Sequence, residues 1–256
     1  MSILRSIILN IRTNIEQILP AQPCVLCGSM SHDGLWCAAC DHALPYHIAA
    51  HCPVCALPTP TGEICGLCLK HPPLFARTTA VFSYDFPVDK LIQAMKYGER
   101  LALAFAFAKK LASHINKTEL PDYVIAMPLH PVRLRERGFN QAQLLASIVA
   151  RELDLKLLTC RRCRDTPPQT ALSSRERKTN LRDAFCCEAD LTGRRIALVD
   201  DVLTTGASLN ALAEAVHKCG ALEISTWVVA RALPACDSTH PKALSASAAQ
   251  MPAIPD

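Results

Sequence analysis

The chain has 256 residues, half of them apolar, and a formal net charge of +4. That composition buries a substantial core, which excludes a disordered or fibrous protein, and a charge so mild does not by itself specify a nucleic-acid binder. No run is apolar for the length a membrane span needs, so a soluble globular protein with no transmembrane segment is expected.

In chain order, residues 1–20 set Ile3, Leu4, Ile7, Ile8, Ile11, Ile15 and Leu19 on a helical stripe broken by Arg5, Arg12 and Glu16. No continuous apolar core or small-residue cleavage site of a signal peptide accompanies it, so the segment reads as an amphipathic docking helix in a cytoplasmic protein, with membrane-surface contact as the alternative.

Residues 21–72 hold eight of the fourteen cysteines. "CVLCGSMSHDGLWCAAC" and "CPVCALPTPTGEICGLC" share the spacing C-x2-C-x9-C-x2-C, with Gly34 and Gly62 at equivalent places, so the segment is an internal repeat. A C-x2-C turn brings two thiolates to one ion, and two such turns close a tetrahedral shell. The spacing predicts two structural zinc sites, Cys24, Cys27, Cys37 and Cys40 on one and Cys52, Cys55, Cys65 and Cys68 on the other. Cross-braced pairing, iron in place of zinc, a redox role for the pairs and histidine substitution (His32, His42, His47, His51) are the alternatives. Cys160 and Cys163 form a further C-x2-C without a matching second pair, and Cys186, Cys187, Cys219 and Cys236 read as small core or tail residues.

From Arg77 the texture changes. "RTTAVFSYDF" alternates like a strand; two helical stretches break near Gly98; "YVIAMP" is a short apolar strand, "LHPVRLRERGFN" a polar loop and "QAQLLASIVARELDL" a helix. Strands at "KLLTC" and "AFCCEA" follow, then strand, loop, helix stopped by Gly220, and strand from Arg195 onward. Strands alternating with helices predict a parallel α/β sheet over residues 77–232, with ligands outside the carboxyl ends of its strands. The Pro-, Ala- and Ser-rich residues 233–256 read as a disordered tail.

The richest stretch is "RIALVDDVLTTGASL", Arg195 to Leu209. Thr204, Thr205, Gly206, Ala207 and Ser208 can offer N–H groups and hydroxyls to a phosphate at a helix start, whereas Asp200 and Asp201, read as lying between the strand ending at Val199 and the loop, would repel one. A ribose 5-phosphate unit satisfies both, with the phosphate in the loop and its 2- and 3-hydroxyls on the carboxylates. The basic clusters, Arg133 to Arg137, Arg161 to Arg164 and Arg175 to Lys178, become an anion site only where the fold brings them to one cleft.

"ALVDDVLTTGAS" resembles the phosphoribosyl pyrophosphate (PRPP) signature of type I phosphoribosyltransferases. Together with "LIQAMKYGER", "MPLHPVRLRERGFNQAQLLA", "PPQTALSSRERKTNLRDAF" and the doubled cysteine module, it resembles the ComF/GntX family of competence and DNA-utilisation proteins from Cys24 to about Ala232. The resemblance implies a type I phosphoribosyltransferase fold with a central, mainly parallel sheet preceded by a small zinc-ribbon module. It also implies Mg²⁺-dependent PRPP binding and a cytoplasmic role in DNA uptake or in using DNA as a nutrient. By the same likeness Val199, Asp200, Asp201, Thr204, Thr205, Gly206, Ala207 and Ser208 bind PRPP, with Asp200 and Asp201 catalytic. Pro128, Leu129 and His130 match the pyrophosphate loop, with Arg133, Arg135, Arg137 and Lys96 as candidate anion contacts, and Gln169, Arg175, Arg177 and Asn180 fall where a flap covers the site. Gly138, Phe139, Asn140 and Gln141 read as the start of the next helix, with Phe139 in the core. Three readings stand: a transferase with an unidentified acceptor, a non-catalytic PRPP-binding adaptor of the competence machinery, and a single-stranded DNA binder. The last is disfavoured because the cysteine module lacks interleaved basic and aromatic residues.

Overall fold

The computed structural model describes residues 21–32, 34–97, 100–163 and 184–233. The expected amino-terminal helix, the flap candidates Gln169, Arg175, Arg177 and Asn180, and all of the expected tail beyond residue 233 lie outside the described residues.

The eight amino-terminal cysteines gather sequentially, Cys24, Cys27, Cys37 and Cys40 in one cluster and Cys52, Cys55, Cys65 and Cys68 in the other, each with its sulfurs within 4.8 Å of one another. The first carries a two-stranded ladder, β1 (Gln22–Pro23) and β2 (Met30–Ser31), and the helix α1 (Ala38–His42). The second carries α2 (Gly66–Lys70). Sulfurs at the corners of a tetrahedron about 2.3 Å from a central zinc stand roughly 3.8 Å apart; Cys27 and Cys37 are 3.8 Å apart and Cys55 and Cys65 are 3.6 Å apart. Thiols so crowded resist ionising together: hydrogen bonding to Cys27, then burial, pushes Cys40 up to about 12, and burial pushes Cys68 up. A divalent cation at the centre removes that penalty, so the donor set, spacing and charge fit two structural zinc sites.

Behind this module lies a five-stranded sheet, entirely parallel: β3 (Arg77–Ser83), β4 (Tyr123–Ala126), β5 (Lys156–Leu158), β8 (Arg195–Leu203) and β9 (Glu223–Arg231), in the spatial order β3-β9-β8-β4-β5. Its central strands are apolar on both faces, as in Ile196 to Val199 and Val228 to Ala230, all almost fully buried. The helices α3 (Val88–Tyr97), α4 (Leu101–His114), α5 (Pro131–Arg137), α6 (Gln141–Glu152) and α7 (Ala207–Lys218) supply the crossovers. A small antiparallel pair, β6 (Arg161–Arg162) and β7 (Phe185–Cys186), stands apart from the sheet.

The cysteine module is fastened along the free edge of β3. His47 donates its N–H to Val81 O (2.8 Å), Ser83 N–H donates to Pro45 O (2.8 Å) and Thr78 N–H donates to Pro53 O (3.0 Å), while Thr78 Oγ1 donates to Val54 O (2.6 Å). The Trp36 ring meets Phe107 of α4 at 5.7 Å, and Asp41 accepts from Trp36 Nε1 (2.7 Å) and Tyr46 OH (3.0 Å) while pairing with Lys110 at 2.7 Å. Burial opposes the Asp41 charge, but Lys110 and the two donors outweigh it and hold the carboxyl below its usual range.

Three local expectations are corrected. The strand expected to end at Val199 runs on to Leu203, so Asp200 and Asp201 lie within it. The expected polar loop after β4 contains α5: His130 caps its start by accepting from Val132 N–H (3.2 Å), Pro131 occupies the first turn where its missing N–H costs nothing, and Gly138 ends it at φ 77°. Cys163 and Cys186 form a disulfide across β6 and β7, rather than remaining free thiols.

Gly220, expected as a helix stop, has φ 93°, and a Cβ there would stand 2.7 Å from Thr192 Oγ1 and 3.0 Å from Thr192 Cα. Gly220→Ala is expected to lower unfolding stability by roughly 1–3 kcal/mol, measured by urea denaturation. Two zinc ions per chain are expected by elemental analysis; changing Cys52, Cys55, Cys65 and Cys68 together to serine is expected to leave one, whereas cross-braced sites, each holding one pair from that repeat, would both be emptied.

Candidate functional site

The sheet order creates a crevice before any side chain is considered. From β4 the chain proceeds through α5 and α6 to β5 on one side; from β8 it proceeds through α7 to β9 on the other. The carboxyl ends of two adjacent strands therefore open in opposite directions, which is where doubly wound sheets bind ligands. Met127 N–H donates to Val199 O (2.8 Å), so the Pro128 segment leaves β4 directly beside Asp200. A cavity of about 890 Å³ lies there, lined on the β4 side by residues 127–130, 132, 133, 136, 137 and 139–142 and on the β8 side by Asp200, Asp201, Val202 and Ser208.

The acidic wall is already partly neutralised. Lys96, at the end of α3, places Nζ 2.7 Å from Asp201 Oδ2, an ion pair with Asp201 only 4% exposed. The approach is that of two charges in contact rather than of a well-directed hydrogen bond. Burial opposes the Lys96 charge, but Asp201 more than offsets it and holds the lysine pKa above its ordinary value. Asp200 has no such ion-pair partner at contact distance among the described residues; burial first, then the neighbouring Asp201 charge, pushes its pKa up to about 8. Its Oδ1 accepts from Asp201 N–H (2.9 Å), and Asp201 Oδ1 accepts from Val202 N–H (2.8 Å).

The opposite wall is basic. Arg133 and Arg137 are four residues apart on α5 and so share a helix face, the one turned to the cavity. Arg137 donates to Gln141 Oε1 (2.6 Å) and lies 4.9 Å over the Tyr97 ring. Arg162 of β6, with its guanidinium 5.6 Å from the Phe185 ring, reaches the same cavity. Asn140 fixes the wall's backbone by donating to Met127 O (3.0 Å) while its Oδ1 caps α6, accepting from Ala142 N–H (3.0 Å).

Of the residues singled out in the sequence, Lys96, Pro128, Leu129, His130, Arg133, Arg137, Asp200, Asp201 and Ser208 meet around this one cavity. Val199 is fully buried in β8. Thr204, Thr205 and Gly206, in the turn leading into α7, and Ala207, the first residue of α7, stand outside the cavity lining, with both threonines exposed and Gly206 at φ 78°. Arg135 does not line the cavity, and Phe139, expected in the core, is half-buried at the cavity wall. Asn140 and Gln141 do start the next helix, Asn140 as its cap. The fold thus brings two of the three basic clusters to one cleft, through Arg133, Arg137 and Arg162. Sequence reasoning did not single out Arg162 by itself, and it missed Tyr97; the signal for Arg162 was its place between two cysteines of a short strand.

Comparison with known proteins agrees with this architecture. The family model described as Phosphoribosyl transferase domain matches residues 140–242, and that described as Double zinc ribbon domain matches residues 15–69. DNA utilization protein YhgH of Escherichia coli strain K12 is 35% identical over 223 residues, 82% of this chain and 97% of the relative. Competence protein F of Haemophilus influenzae is 33% identical over 77% of this chain and 85% of its own length. Competence protein ComFC of Bacillus subtilis strain 168 is 26% identical over 81% of this chain and 94% of its own. With both modules matched in order and a third of the residues shared across most of its length, the chain belongs to the ComF family of competence and DNA-utilization proteins.

Proposed function

We propose that this chain binds PRPP with Mg²⁺ and transfers its phosphoribosyl group to a base or amine nitrogen, in the utilization of DNA taken up or degraded by the cell. The observation that carries the reading is the cavity at the β4–β8 crevice, with a carboxylate pair on one wall and Arg133, Arg137 and Arg162 on the other. On this reading residues 21–72 form the zinc module and 77–232 the transferase unit, and the names of the relatives supply the connection to DNA.

The 5-phosphate sits in the turn from Thr204 to Ser208, where backbone N–H groups and the positive end of α7 favour an anion. Asp200 accepts hydrogen bonds from the ribose hydroxyls, and Lys96 holds Asp201 in place beside it. Pyrophosphate lies along Pro128 to His130 with Arg133 and Arg137 against it. The C1–O bond breaks with its electron pair going to pyrophosphate, the arginines stabilise that charge, and the acceptor nitrogen forms the new bond to C1 and releases its proton to solvent or to the departing pyrophosphate. A carboxyl whose pKa is raised by burial and by a like-charged neighbour fits a site that gains a cation with its ligand; Mg²⁺ brought with PRPP would supply charge neutralisation. A cytoplasmic location belongs to the same reading, since the eight clustered thiols need a reducing compartment and the Cys163–Cys186 bond is the exception.

Calorimetry with PRPP, with and without Mg²⁺, tests the proposal. Magnesium-dependent binding that is lost in Asp200→Asn is expected, and this variant leaves the Lys96–Asp201 pair intact; a folded wild-type protein that binds no PRPP would overturn it. Binding without pyrophosphate release, across a panel of bases and amines, would move the chain to the non-catalytic adaptor. Arg133→Ala or Arg137→Ala is expected to weaken PRPP binding roughly 10–100-fold and to leave ribose 5-phosphate binding unchanged.

The raised Asp200 pKa also has a consequence without ligand. The folded protein retains a proton that the unfolded chain releases from its ordinary pKa of about 3.9 upward, so stability falls as pH rises from about 4 to about 8. An asparagine side chain in its place does not titrate and carries no such penalty. Asp200→Asn is therefore expected to raise the melting temperature of the ligand-free protein, little near pH 5 and most above pH 8, by differential scanning fluorimetry.

A further inference from the structure

Arg231, the last residue of β9, is only 4% exposed, yet it ends a strand in an otherwise apolar run. Its hydrogen bonds go to backbone carbonyls of three separate segments. Nε donates to Cys55 O (2.7 Å), and Nη1 donates to Leu203 O (2.7 Å), Thr204 O (2.5 Å) and Ala232 O (2.5 Å). Cys55 belongs to the second four-cysteine cluster, and Leu203 and Thr204 are where β8 ends and the phosphate turn begins. One guanidinium therefore joins the metal module to the turn.

Two physical consequences follow. A peptide unit is planar and trans, so its N–H points opposite to its C=O. With the Leu203 and Thr204 carbonyls drawn toward Arg231, the N–H groups of Thr204 and Thr205 point away from it, the direction an incoming phosphate needs. The second consequence concerns charge. A buried guanidinium bound to carbonyls alone still lacks a counter-charge. A zinc ion inside four thiolates leaves the cluster net negative, and Arg231 reaches that cluster directly through its hydrogen bond to Cys55 O. Packing repeats the connection: Phe75, in the segment leaving the second cluster, is buried and would lie 3.8 Å from a Cβ at Gly206, and Leu74 N–H donates to Asn210 Oδ1 (2.7 Å) on α7. The first cluster contacts α4 instead, through Trp36 and Asp41, and touches none of these residues by the same means.

We infer that Arg231 is a positioning residue coupling metal at the second cluster (Cys52, Cys55, Cys65, Cys68) to the Thr204–Ser208 turn, so that metal there and phosphate in the turn strengthen each other's binding. The inference rests on the reading of that turn as the phosphate site. Reciprocity is required by linkage: whatever factor the metal contributes to ligand affinity, the ligand returns to the metal.

The experiment uses the full-length zinc-loaded chain and follows amide hydrogen exchange by mass spectrometry while a chelating dye withdraws zinc. Exchange in residues 203–208 is expected to rise roughly tenfold in step with loss of protection at 52–68, and to be indifferent to loss at 24–40. Arg231→Lys keeps the charge but cannot bridge three segments; it is expected to hold two zinc ions, to show the faster exchange at 203–208 before any chelation, and to bind PRPP with Mg²⁺ roughly tenfold more weakly. Saturating PRPP is expected to slow zinc loss from the second cluster alone. Unchanged exchange at 203–208 when the second zinc leaves, or equal protection of both clusters by PRPP, overturns the coupling. Should Arg231→Lys not fold, the chelation series on the wild-type chain decides alone. Failure of the wild type to bind PRPP would remove the functional reading and with it the ligand half of the coupling, whereas the metal-to-turn half is decided by the exchange comparison, which needs no ligand.

Discussion

The adjacency of β4 and β8 governs this molecule. Two parallel strands lie side by side while the chain leaves them toward opposite edges of the sheet, so their carboxyl ends cannot be covered by their own crossovers. Every group of the candidate site is placed by that opening: Asp200 and Asp201 because they lie toward the end of β8, the Pro128 segment and α5 because they follow β4, and Ser208 because α7 begins there. Lys96 and Tyr97, arriving from α3, and Arg162, from β6, are the exceptions, and Lys96 performs the one task neither strand can, which is to offset a carboxylate that the sheet itself buries.

The electrostatics of the crevice are divided rather than uniform. A wholly basic cleft would suit any polyanion, and a wholly acidic one would suit a metal alone. Here a carboxylate wall faces an arginine wall across about 890 Å³, which suits a ligand carrying hydroxyls at one end and condensed phosphate at the other. Placing both aspartates in the strand, not after it, makes their roles unequal: Asp201 turns to Lys96, and Asp200 stays protonatable and open to a ligand.

Much of this was legible in the sequence, for identifiable reasons. The duplicated cysteine spacing favours sequential pairing, since each repeat can close a shell without the other, and the alternation of apolar runs with amphipathic helices states a parallel sheet. The helix α5 was not legible because "PVRLRER" offers too few apolar residues for a periodic stripe; its caps, His130 and Gly138, define it instead. The extent of β8 was hidden for a related reason, as two carboxylates in succession look like a strand end when apolarity is the criterion. Arg231 was visible as a lone charge in "WVVARAL", but its meaning depends on Cys55, which is 176 residues away in the chain. The Cys163–Cys186 bond likewise needs two strands that sequence separates by 23 residues.

The fastening of the cysteine module along β3 has an implication for solubility. A parallel sheet has two edges, and an open edge presents unpaired N–H and C=O groups to any other strand it meets. On β3 those groups are occupied by Pro45, His47 and Pro53 of the preceding module, with Tyr46 bridging Phe82. The module thus guards the edge of the parallel sheet, and it is itself built on two four-cysteine clusters that fit zinc. A chain synthesised where zinc is scarce would lose that guard and offer β3 to its neighbours, so metal starvation would be felt first as aggregation.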